Sequence, residues 1–66
     1  MTVTVNGRPQ EAVPGETVES LLDRLGLAAQ YALVERNGEP VERASYGVTA
    51  LAEGDTLVVA RPVAGG

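Results

Sequence analysis

The sequence predicts an α+β domain in which one helix packs across a mixed sheet of four to five strands. Three observations carry this expectation. Two Asn-Gly steps, Asn6-Gly7 and Asn37-Gly38, are each flanked by short extended runs; Val18, Leu21, Leu22 and Leu25 form one apolar stripe at helical spacing; and residues 56–61 form a β-branched, apolar run. The order strand, strand, helix, strand, short strand, strand fits a mixed sheet covered on one face by the helix, with the first and last strands paired in parallel.

Residues 2–5 alternate polar and β-branched apolar side chains, and Asn6-Gly7 supplies a hairpin turn that wants positive φ at both positions. The return strand, residues 8–13, contains Pro9. Lacking an N–H, Pro9 belongs on an edge strand with its missing donor facing outward. Pro14-Gly15-Glu16 breaks the strand, and Thr17 is placed to cap a helix whose apolar residues fall at i, i+3, i+4 and i+7. Arg24 suits the negative end of the helix dipole, and Gly26 followed by Leu27 marks a left-handed stop.

Beyond the helix, residues 32–36 read as a strand, Asn37-Gly38 as a turn and residues 39–42 as a brief extended piece containing Pro40. Residues 43–51 suggest a loop or a short helical turn, and Glu53-Gly54-Asp55 turns the chain into the last strand, which Pro62 ends. Alternation along that strand places Leu57 and Val59 in the core and leaves Val58 and Ala60 on an open face, where they form a candidate partner surface. Tyr31 and Tyr46 are expected to pack structurally, and Glu35, Glu39, Glu42, Glu53 and Asp55 to be solvated turn and strand residues.

A chain of 66 residues has room for one domain, taken as residues 1–61 followed by a flexible tail at residues 62–66. An apolar fraction of 44% with 21% charged residues is that of a folded chain, since a disordered one is poorer in apolar residues. Cys, His, Lys, Trp and Phe are all absent. Without Cys or His there is no zinc site, thiol nucleophile or imidazole base, so the chain is expected to be no enzyme and to bind no metal or cofactor. A net charge of −4, with Arg8, Arg24, Arg36, Arg43 and Arg61 scattered singly, gives no surface for nucleic acid or anionic membrane. No basic leader or long apolar run is present, so a cytoplasmic location is expected.

The sequence finishes Pro62-Val63-Ala64-Gly65-Gly66. Five extended residues reach roughly 17 Å, far enough to enter another protein's active site while the domain docks outside. Small residues near the end would pass a narrow channel, although termini also tolerate glycine because nothing packs there. The carboxylate of Gly66 is the distinctive reactive group, open to activation as an acyl adenylate and to replacement of oxygen by sulfur.

Taken together, these residues resemble the ThiS family, the sulfur carriers of thiamin thiazole synthesis. The resemblance rests on Val5-Asn6-Gly7, the Pro14-Gly15-Glu16-Thr17-Val18 lead into Leu21-Leu22, and Asn37-Gly38-Glu39 with Val41 and Arg43 after it. It rests most of all on Glu53-Gly54-Asp55 before a β-branched strand and on the terminal Val63-Ala64-Gly65-Gly66. Arg36, in place of an apolar strand residue, and Pro40, in place of a β-branched one, depart from the family pattern.

The resemblance implies a β-grasp, ubiquitin-like fold and a protein that is monomeric when free. It implies that Gly66 is adenylated by a ubiquitin-activating-type adenylyltransferase, which consumes ATP. A sulfur donor system would then convert the carboxylate to a thiocarboxylate, and thiazole synthase would take the sulfur. The alternatives are the small subunit of molybdopterin synthase, another carrier for cysteine or natural-product synthesis, and a ubiquitin-like protein modifier. As a modifier the chain could not extend itself, because it has no lysine.

Overall fold

Both Asn-Gly steps form the tight turns their side chains favour. In the computed structural model, which describes residues 1–61, φ is 52° and 82° at Asn6 and Gly7, and 53° and 85° at Asn37 and Gly38. Positive φ at both central residues gives a two-residue turn whose twist matches its strands. The first turn joins β1 (Thr2–Val5) to β2 (Arg8–Glu11), and the second joins β3 (Leu33–Arg36) to β4 (Glu39–Val41). β1 has the bounds the sequence suggests, and the other strands run a residue or two shorter. Pro9 lies opposite Thr4 and Pro40 opposite Glu35, each on an outermost strand where no further neighbour asks for its N–H. Pro9 therefore sits at an edge as expected, and Pro40 leaves the β3–β4 pairing intact.

The last strand, β5 (Thr56–Ala60), occupies the middle of the sheet, whose order is β2-β1-β5-β3-β4. It runs parallel to β1, with Val5 beside Leu57, and antiparallel to β3, with Leu33 beside Ala60 and Arg36 beside Leu57. Among the described residues, the parallel contact between first and last strands and the single covering helix give the β-grasp architecture that the family resemblance implies.

Helix α1 (Val18–Arg24) begins with every early donor satisfied. The Val18 and Glu19 N–H groups donate to the carbonyls of Thr49 and Tyr46, each at 3.0 Å, and Ser20 donates to the Thr17 hydroxyl at 3.2 Å. At the other end Gly26, with φ 74°, lets Leu27 N–H reach the Leu22 carbonyl at 2.8 Å while its own N–H reaches that of Asp23 at 3.1 Å. This pair of bonds is a Schellman stop. The stop makes Leu25 the C-cap, and Leu25 is only half-buried, so the buried stripe is Val18, Leu21 and Leu22.

Against that stripe pack Val3 and Val5 of β1, Val34 of β3 and Leu57 of β5, with Ala12, Ala32, Tyr46 and Leu51 closing the ends. Residues 43–51 contain one 3-10 turn (Arg43–Ser45), as anticipated, and bind the start of the helix through the bonds just described. Tyr46 is fully buried, and its hydroxyl donates to the Ala32 carbonyl at 2.8 Å. Tyr31 does not pack inside. It is 54% exposed on a second 3-10 turn (Ala29–Tyr31), with the Arg61 guanidinium 5.8 Å above its ring. No helix among the described residues is long and apolar enough to cross a membrane.

Candidate functional site

The candidate site is the end of β5 and the sheet face around it. Alternation along β5 falls as expected: Leu57 is buried, Val59 is partly buried against the core, and Val58 and Ala60 face outward. Val58 is 49% exposed and lies opposite Glu35; Ala60 lies opposite Leu33, itself 53% exposed. Pro40, opposite Glu35 on the other side, completes a shallow groove of about 310 Å³ whose polar interruption is Glu35. Of the residues lining this groove, the sequence analysis singles out Val58 and Ala60 as a candidate partner surface and does not include Leu33 or Pro40. The outward phase of Leu33, one residue before buried Val34, was the available signal. Pro62, Val63, Ala64, Gly65 and Gly66, the residues expected to enter a partner's active site, lie outside the described residues.

Two asparagines fasten β5 along its length. Asn37, in the second turn, accepts from Thr56 N–H at 2.9 Å through its amide oxygen and donates from its amide nitrogen to Asp55 at 3.0 Å. Asn6, in the first turn, accepts from Val59 N–H at 2.8 Å and donates to the Val59 carbonyl at 3.0 Å. The register between β1 and β5 ends at Val5 and Leu57, followed by a backbone bond from Asn6 N–H to the Leu57 carbonyl at 2.9 Å. The Asn6 side-chain amide continues the pairing by one further step, satisfying strand groups that would otherwise lack a partner.

Asp55 is buried, which corrects its expected solvated role. Its carboxylate accepts from Arg36 Nε at 2.8 Å, from Asn37 and from Ala52 N–H at 2.8 Å. Arg36 is therefore not a misplaced apolar residue: it occupies the inward phase beside Leu57 and turns its charge onto Asp55. Burial alone would raise the Asp55 pKa, but the bonds from Asn37, Ala52 and Arg36 outweigh it and hold the carboxyl below the ordinary range.

Glu16 is the second buried carboxylate. Hydrogen bonds from Arg24 at 3.0 and 3.1 Å lower its pKa most, burial opposes them, and Val13 N–H and the Ser20 hydroxyl add to the lowering. Both carboxylates are occupied by partners within the chain, so their shifts belong to structure. No cluster of three metal-ligating side chains occurs among the described residues.

The ThiS family model matches residues 3–66, nearly the entire chain. A crystal structure of the thiamine biosynthesis protein ThiS from Geobacter metallireducens is 36% identical, with full coverage of both chains and a TM-score of 0.84. A thiazole synthase from Magnetococcus marinus is 41% identical over all 66 residues, which make up 20% of that protein. The chain thus spans about a fifth of the length of the curated relatives it matches. SAMP1 from Haloferax volcanii, at 24% identity and a TM-score of 0.63, shares the fold over 98% of this chain and 97% of its own.

Proposed function

The chain belongs to the ThiS family, and on that premise we propose that it carries sulfur for thiamine thiazole synthesis on the C-terminal carboxylate of Gly66. The observation that carries this reading is the family match, which runs through the domain and on through the Gly65-Gly66 tail. A ubiquitin-activating-type adenylyltransferase joins the carboxylate to the α-phosphate of ATP, and pyrophosphate leaves. A sulfur donor system then delivers sulfide-level sulfur, which attacks the activated carbonyl and displaces AMP, and the thiocarboxylate passes its sulfur to thiazole synthase as water returns the carboxylate.

Several features support this sequence of steps. The chain has no Cys, so carried sulfur has no thiol to occupy and the terminal carbonyl is the available position. Thiazole synthases containing a stretch that aligns with the whole chain support that enzyme as the sulfur acceptor, and the family match favours thiamine over the molybdopterin alternative. The groove of Leu33, Pro40, Val58 and Ala60 is the face that meets the activating enzyme, because it is apolar, exposed and contiguous with the strand leading to the tail. The domain supplies docking and stability while its partners supply catalysis. It is monomeric when free, consistent with a proline on each edge strand.

The test is a variant carrying one extra residue after Gly66, assayed by ATP–pyrophosphate exchange with the activating enzyme. A peptide bond there removes the carboxylate, so exchange should fall to background. Exchange at the unextended rate without trimming would refute the reading.

A further inference from the structure

The root of the tail, residues 59–61, is held from both flanks by residues that no catalytic step requires. On the β1 flank, the exposed Asn6 side chain grips both the N–H and the carbonyl of Val59, a residue 53 positions away. On the β3 flank, Tyr31 lies two residues before Leu33, the partner of Ala60, and its ring sits beneath Arg61. Neither side chain is needed to fill the core, since both are exposed. Removing them should therefore loosen the root more than it destabilises the domain.

A tail that must thread a narrow site starts from wherever its root points, and a loose root spreads its starting directions. Pre-ordering a segment before association lowers the entropy lost on binding. We propose that Asn6 and Tyr31 are positioning residues that fix the direction in which the chain leaves the sheet at Arg61, and so favour productive insertion of the tail into the activating enzyme. The insertion half of this proposal rests on the sulfur-carrier reading; the holding of the root does not.

Asn6→Gly keeps the positive φ of the turn while deleting both amide bonds. Tyr31→Leu removes the ring, and Tyr31→Phe restores a cation-binding face without the hydroxyl. Two readouts are taken on each variant: amide hydrogen exchange at Val59 and Arg61, and KM and kcat for ATP–pyrophosphate exchange with the activating enzyme. Asn6→Gly should speed exchange at Val59 roughly tenfold. Tyr31→Leu should raise KM about two- to fivefold with kcat little changed, and Tyr31→Phe should recover most of that loss. The double variant Asn6→Gly/Tyr31→Leu should raise KM further than either alone.

Unchanged exchange at Val59 in Asn6→Gly would overturn the holding of the root. Faster amide exchange with an unaltered KM in Asn6→Gly, Tyr31→Leu and the double variant would overturn its role in insertion. If the unsubstituted protein is not activated at all, the sulfur-carrier reading and the insertion role fall together, and the amide measurement still decides whether Asn6 holds the root.

Discussion

Asp55→Ala removes the acceptor on which the start of β5 depends. Three donors lose their partner: Arg36 Nε, Asn37 Nδ2 and Ala52 N–H. A bond to a charged acceptor is worth about 1.5–3 kcal/mol. The Arg36 side chain is 32% exposed, however, and can turn to water. Asn37 and Ala52 lie at the surface and are partly rehydrated, so the three bonds together come to about 2–3 kcal/mol. A 66-residue domain has only about 3–10 kcal/mol in all. The assay is urea unfolding followed by circular dichroism. With a slope near 1 kcal/mol per molar for so small a protein, the midpoint should fall by about 2–3 M at unchanged slope. A shift below about 0.5 M would show that the Asp55 cluster adds little and that backbone pairing and the remaining asparagine bonds suffice to hold β5.

Leu22→Ala, at a fully buried site, should destabilise by about 2–5 kcal/mol, whereas half-buried Leu25→Ala should cost about 1–2 kcal/mol; equal losses in urea titration would contradict the helix stop at Leu25. Stability should rise with pH across the acidic range. Asp55 and Glu16 have lowered native pKa values, so their contribution is complete above the unfolded carboxylate pKa near 4 and is lost as pH falls through the lower native values. Unfolding midpoints measured between about pH 5 and pH 2 should trace that loss, and Asp55→Asn should flatten it. Val58→Glu should change stability by less than about 0.5 kcal/mol yet weaken binding to the activating enzyme about tenfold or more, read by titration calorimetry. Because Val58 faces Glu35, Val58→Lys is the control that separates burial of a charge from repulsion between like charges. Normal binding by both would move docking to another surface.

What the sequence made legible was local. The Asn-Gly turns, the Thr17 cap, the Gly26 stop and the phase of β5 each follow from residues within a few positions of one another. Arg36 read as an anomaly because its reason, Asp55, lies 19 residues away and meets it only once β3 and β5 pair. Asn6 advertised a turn, but its grip on Val59 depends on the first and last strands lying side by side. Tyr31 and Tyr46 carry the same side chain in similarly irregular stretches. One is buried because a carbonyl at Ala32 awaits its hydroxyl, and the other is exposed beneath Arg61. The outward face of β3 was readable from alternation once Val34 was assigned inward, and Leu33 and Glu35 follow from it. The tail proposed to carry the chemistry stands out through composition and family resemblance alone, since nothing in a fold specifies chemistry at a chain end.

The most direct test of the account is intact mass measurement, with fragmentation, of the protein recovered from its native cell and after incubation with the activating enzyme, ATP and sulfur donor. The account predicts a mass gain equal to exchange of one oxygen for one sulfur, confined to the fragment containing Gly66 and lost on transfer to thiazole synthase. A protein that stays unmodified in the presence of all three components, or that gains sulfur anywhere other than Gly66, would contradict it.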